Sequence, residues 1–185
     1  MVFESIIFIV VKCTKNISQK NLSFSPKITC LLAIGNRFNV FIFAEIMADI
    51  LIAPSSEKDF EVVAQLAKSF DLDFEDVFWK QFLVAKKGEG IIGFGRLRNY
   101  SGCTEVATVG VINSERGKGL GTLIVNELIR MGPKEIFVTC VIPKFFSRFG
   151  FQQIKQYPPV LQKKVDFCKC YNFKEDEIFV MKLNK

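Results

Sequence analysis

Phe60, Val63, Ala64, Ala67 and Phe70 fall three or four residues apart and mark one face of a helix. The apolar run 50–53 ahead of them reads as a strand. Pro54-Ser55-Ser56 is the turn between the two, with Ser56 and Asp59 spaced close to a capping box. Residues 71–80, acidic and aromatic with Trp79, predict an irregular or helical link. The rhythm then changes to strands. Runs 82–86 and 91–98 flank a turn at 87–90 and predict a hairpin, and after a loop at 100–102 the run 105–111 predicts a further strand. Helical spacing returns at Leu120, Ile124, Leu128 and Met131, and Gly132-Pro133 stops it. A strand over 135–141 follows, then a short helix opened by Pro143 that carries Phe145, Phe146 and Phe149 and ends at Gly150. A strand near 152–156, a polar loop through Cys170 and a last strand over 177–183 complete the pattern.

Residues 1–46 lack this order. They are rich in Phe, Ile, Asn and Lys, and carry five basic residues against two acidic ones. Met47 then opens a clean domain start. The expectation is a domain over 47–185, with 1–46 an N-terminal extension upstream of a true start at Met47; a targeting extension and an accessory segment are the rival readings.

Composition narrows the function classes. A length of 185 residues suits one domain with a proper core and is too short for two comfortable ones. The net charge of +6 is divided between the N-terminal stretch and the rest, too weak a surplus for nucleic-acid binding. No apolar run reaches the roughly 18 residues of a membrane span: 6–11 is short, and 38–53 is broken by Glu45 and Asp49. The six cysteines show no framework spacing, and Cys168-Lys169-Cys170 completes no zinc site, so no metal is expected and the thiols read as reduced and cytoplasmic. The chain has no histidine, which removes Ser-His-Asp and Cys-His catalysis together. Carboxylates and backbone groups are left to do the chemistry.

The segment 109–122, VGVINSERGKGLGT, offers a site for an anion. A strand runs into a glycine-rich basic turn that opens a helix, where unpaired N–H groups and the positive end of the backbone dipole meet. The spacing fits neither a Walker A loop nor a dinucleotide fingerprint, since Gly117, Gly119 and Gly121 give G-x-G-x-G. Arg116-Gly117-Lys118-Gly119-Leu120-Gly121 fits R-x-x-G-x-G and resembles the pyrophosphate loop of the GNAT superfamily, the acyl-CoA-dependent N-acyltransferases. Val109-Gly110-Val111 ahead of Arg116, and the aromatic stretch 144–151, KFFSRFGF, resemble the same family. So does the order of elements over 48–185.

The resemblance implies an α/β (α+β) fold with a mixed, mostly antiparallel central sheet flanked by helices. It implies acetyl-CoA as cosubstrate, which a modest positive surplus suits. It places the pantetheine arm along the backbone of Val109, Gly110 and Val111, and the pyrophosphate on Arg116, Gly117, Lys118, Gly119, Leu120 and Gly121 with the Thr122 hydroxyl as a further donor. A backbone N–H near Val111 would polarise the thioester carbonyl. Where relatives are credited with a tyrosine acid this chain has Phe146, so water, Tyr157 or Tyr171 would have to serve, or no acid is needed.

Transfer to an amine requires the ammonium to lose a proton, and Glu105 is the candidate base. Strand alternation puts it on one side with Ala107, Val109 and Val111; a solvated strand-end carboxylate is the other reading. Arg96 and Arg98 share a strand face, either solvated or turned to a substrate carboxylate. The expected activity is acetyl transfer to a primary amine of a small molecule or peptide, with no nucleic acid or membrane as partner; a homodimer is compatible with it. The alternatives are an amino-acid acetyltransferase of the N-acetylglutamate synthase type, which the C-terminal third loosely resembles, and a CoA-sensing module without catalysis.

Overall fold

The computed structural model describes residues 49–185, so the expectations for 1–46 and Met47 lie outside the described residues. Strand β1 (Ile50–Pro54) leads into helix α1 (Glu57–Ser69). The Ser56 Oγ accepts from the Asp59 N–H at 3.3 Å while the Asp59 carboxylate accepts from the Ser56 N–H at 2.9 Å, a complete capping box. An irregular stretch and a short 3-10 turn at Trp79–Gln81 lead to β2 (Phe82–Lys87), β3 (Gly90–Tyr100) and β4 (Cys103–Val111). Then come α2 (Leu120–Met131), β5 (Glu135–Cys140), α3 (Pro143–Ser147), β6 (Gln152–Gln153), α4 (Gln162–Cys170) and β7 (Phe179–Asn184).

The strands form a seven-stranded sheet in the order β1-β2-β3-β4-β5-β7-β6. Every pairing is antiparallel except β4 with β5. Helix α2 lies close on one face of β3, because a Cβ at Gly93 would stand 2.8 Å from Ile124 and one at Gly95 2.9 Å from Leu128. On the opposite face Phe70, at the end of α1, stacks on Phe94 of β3. Helix α4 covers the β5/β7 part of this second face, where Leu161, Val165 and Cys168 pack with Phe137 and Val180.

Three expectations are corrected here. The region read as a polar loop through Cys170 contains α4, and the strand over 152–156 shrinks to the two residues of β6. More consequential is a β-bulge. Phe94 pairs with Gly110 but Arg96 pairs with Ala107, so β4 carries one extra residue there, and Thr108 takes a φ of 52°. The bulge resets the alternation. Glu105 and Ala107 share the face of their partners Arg98 and Arg96, whereas Val109 lies on the α2 side against the Gly95 position. Glu105 is therefore not on the side of Val109 and Val111.

Candidate active site

Strands β4 and β5 are the parallel neighbours of the sheet. Glu105 with Phe137 is the single registered pair of their ladder. A bulge bends and twists its own strand, and the one at Thr108 sits just past that pair. Past Glu105 no further pair of β4 with β5 is registered, which leaves the β4 backbone there untied to β5 by the ladder. Such an edge accepts an extended chain by main-chain hydrogen bonds. Val109, Gly110 and Val111 line it with their backbone, while the Val109 and Val111 side chains are buried in the core.

Arg116–Gly121 follow at the open end. Gly117 and Gly119 have φ of 77° and 87°, the left-handed region that glycine enters at no steric cost. Space beside Gly117 is open: a Cβ there would meet nothing within 4 Å. Helix α2 begins at Leu120 without a side-chain cap, so its first N–H groups face outward with the dipole behind them. Leu120 is buried and contributes backbone only. Arg116 is turned back: its Nε donates to the Val111 carbonyl at 2.9 Å and its guanidinium lies over the Phe70 ring. It ties the loop to the end of β4. Lys118 pairs with Glu115 at 3.1 Å on the surface.

Glu105 is fully buried, which overturns the solvated strand-end reading. Its Oε2 accepts a hydrogen bond from the Tyr100 hydroxyl at 2.9 Å, and its Oε1 has no partner. Burial, with the Glu105 charge second, pushes the Tyr100 phenol well above its ordinary range, so it stays a donor.

Arg96 and Arg98 correct the solvated-face expectation, being 0% and 9% exposed. They also do not turn to an acceptor. The Arg96 Nε donates to Thr108 Oγ1 at 2.9 Å and its terminal nitrogens to the Glu75 carbonyl at 3.2 Å. Arg98 bridges Asp73 and Asp76, at 2.9 Å each. Both hold the irregular stretch after α1 against the sheet. Lys164 of α4 also pairs with Asp73. Burial raises the Asp73 carboxyl, but Lys164, the Glu75 N–H and Arg98 outweigh it and hold the group below its ordinary value.

Asp73, Tyr100, Thr139 and Lys164 were missed in the sequence, and no local signal marks them, since Asp73 and Lys164 lie 91 positions apart. Phe146 is buried among Phe145, Phe149 and Phe151 and has no proton to give. The Tyr157 hydroxyl donates to Gln162 at 3.0 Å. Tyr171 lines a cavity of about 400 Å³ with Gln65, Lys68, Asp71, Leu72 and Phe74, between α1 and the end of α4.

The mostly antiparallel sheet with one parallel pair, followed by a glycine-rich helix start, is the fold seen in the GNAT acetyltransferase structures similar to this chain. Residues 78–153 match the family model described as an acetyltransferase (GNAT) domain. No curated protein matches by sequence. Among solved structures the chain is similar to N-acetylglutamate synthase from Neisseria gonorrhoeae complexed with coenzyme A and N-acetyl-glutamate: TM-score 0.60 and 15% identity, covering 73% of this chain. It spans only 35% of that synthase. Rv2747 from Mycobacterium tuberculosis, in complex with CoA and NLQ, gives a TM-score of 0.57 at 21% identity, over 73% of this chain and 99% of that one. Arabidopsis thaliana Naa50, in complex with the bisubstrate analogue CoA-Ac-MVNAL, gives 0.53 at 18% identity, over 74% and 99%.

Proposed function

We propose that the domain transfers an acetyl group from acetyl-CoA directly to a primary amine. The observation that carries this reading is a juxtaposition along β4. The parallel ladder stops at Glu105, whose buried carboxylate keeps one oxygen free, and the same strand runs on to the glycine loop. Residues 109–111 would pair with the pantetheine arm, and the amides of 117–121 with Thr122 would hold the diphosphate. Three similar structures were solved with CoA or a CoA-containing analogue, which supports the choice of donor.

Glu105 would take a proton from the acceptor ammonium. The free amine attacks the thioester carbonyl and the C–N bond forms; the nitrogen passes its surplus proton to water as the C–S bond breaks, and CoA leaves as a thiolate that takes a proton from water. A backbone N–H near Val111 would stabilise the developing oxyanion. A covalent acyl-cysteine is disfavoured, because burial pushes Cys140 up to about 12 and Cys168 up to about 11, leaving both as thiols. The four described cysteines are free, which fits a reducing compartment such as the cytoplasm.

The test is thiol release from acetyl-CoA over a panel of the common amino acids, short peptides with free N-termini, and simple alkylamines. Amine-dependent release supports the reading. CoA binding without release from any amine leaves a CoA-sensing module instead.

A further inference from the structure

Among the described residues, two buried side-chain polar atoms lack a hydrogen-bond partner: Glu105 Oε1 and Thr139 Oγ1. Native folds leave few such atoms, and each calls for a reason. Glu105 is 0% and Thr139 1% exposed, so bulk water does not supply one. Both lie on adjacent strands near the one registered β4/β5 pair. Thr139 lies on β5 two residues beyond Phe137, the residue registered with Glu105. Side chains alternate along a strand, so Thr139 shares the face of Phe137 and of Glu105. Its partner on β7, Val180, packs in the α4-side cluster with Phe137, which agrees with that placement. One orphan therefore stands on β4 and the other on β5, on the same face of the sheet.

Their chemistry selects what could sit between them. A carboxylate oxygen only accepts, and a threonine hydroxyl accepts as well as donates. The two atoms do not bond to one another. A small head with at least two N–H donors and a positive charge would satisfy both and offset the buried carboxylate. A primary ammonium has that form. We propose that Thr139 is a second contact for the acceptor amine, holding one N–H while Glu105 Oε1 accepts another. When the proton passes to Glu105, the neutral amine keeps its bond to Thr139 and its lone pair is freed for the carbonyl. This rests on the acetyltransferase reading above and adds a residue of β5 that favours an unsubstituted amine over an N-methylated one.

Two measurements on the full chain test it. In steady-state kinetics Thr139→Val, which keeps the shape and removes the hydroxyl, raises KM about three- to tenfold for each amine acetylated. It leaves CoA affinity unchanged, and Thr139→Ser restores the wild-type KM. A KM within about twofold of wild type in Thr139→Val overturns the assignment while the transferase stands. Crystals of the wild-type protein soaked in methylammonium chloride give the second reading. Density for the ammonium within hydrogen-bond distance of both atoms supports the site even if no amine is acetylated, in which case only the transferase reading falls. A water molecule alone at that place, or no density, overturns the site.

Discussion

The Tyr100 hydroxyl donates to Glu105 Oε2 at 2.9 Å across the tight turn that joins β3 to β4. This bond fixes which carboxylate oxygen is occupied and which is free. The Arg98 guanidinium lies over the Tyr100 ring and holds the phenol from its other side. If Glu105 is the base proposed above, its own hairpin orients it before any substrate arrives, which is the preorganisation an active site needs.

Replacing Tyr100 by Phe removes this bond and leaves both Glu105 oxygens unpartnered. Folding stability is expected to fall by about 1–3 kcal/mol, read by urea denaturation. The phenol's folded value lies above its ordinary 10.0, so its contribution is whole below that pH and is lost as pH rises beyond it. Stability of Tyr100→Phe should accordingly be flatter than wild type on the alkaline side. An equal alkaline loss in both proteins counts against this origin.

Glu105→Gln tests the base itself. Glutamine cannot accept the ammonium proton, so turnover at neutral pH should drop by about 10²–10⁴. The rate should recover as pH rises, because the amine then loses its proton to solvent. CoA affinity, measured by calorimetry, should hold. A wild-type rate at every pH clears Glu105 of the role.

Asp73 governs behaviour in acid. Its folded value is held below the ordinary 3.8, so it contributes stability above that pH that disappears as pH falls through the folded value. Asp73→Asn leaves Lys164, Arg96 and Arg98 facing one another without their shared carboxylate. It should cost about 3–5 kcal/mol at neutral pH, as removing one partner of a buried pair does. The variant's stability should also depend less on pH in the acid range. Denaturant titrations from neutral to acid pH check both.

What was legible in the sequence is what local pattern encodes. The capping box at Ser56, the helical stripe of Leu120, Ile124 and Leu128, and the glycine loop each declare themselves within a few residues. Arg96 and Arg98 did not, because the Glu75, Asp76 and Asp73 acceptors that hold them lie 20 to 25 positions away in a stretch with no regular structure. Helix α4 escaped for the same reason: Lys164 is buried on its inner face by a partner from the other end of the domain, so its apolar pattern is thin. The bulge at Thr108 was hidden in a different way. A β-branched residue is the poorest choice for positive φ, and only tertiary bonds keep it there.

Gly117 separates strain from binding. A Cβ there meets nothing within 4 Å, so Gly117→Val costs only its positive φ, about 1–2 kcal/mol. If the loop holds the CoA diphosphate, the new side chain enters the space the phosphates approach, and CoA affinity should fall by about tenfold or more, ~1.4 kcal/mol or more in binding. Calorimetric titration beside a urea curve distinguishes the two losses. Unchanged affinity with reduced stability removes the loop from the binding site.

Thr108 ties the bulge to the loop after α1. Its Oγ1 accepts from the Arg96 Nε at 2.9 Å and donates to the Asp73 carbonyl at 2.9 Å, all buried. Thr108→Val keeps the volume but leaves a buried guanidinium N–H and a carbonyl unpaired, a loss of about 1–3 kcal/mol for each group. Thr108→Gly loses the same bonds yet relieves the φ of 52°, which offsets about 1 kcal/mol of the loss. Glycine should therefore be the milder replacement despite its greater freedom in the unfolded chain, and a comparison of urea midpoints decides it. Were valine the milder one, the strain at this position would be too small to set the course of β4, and the one-pair ladder between β4 and β5 would need another cause.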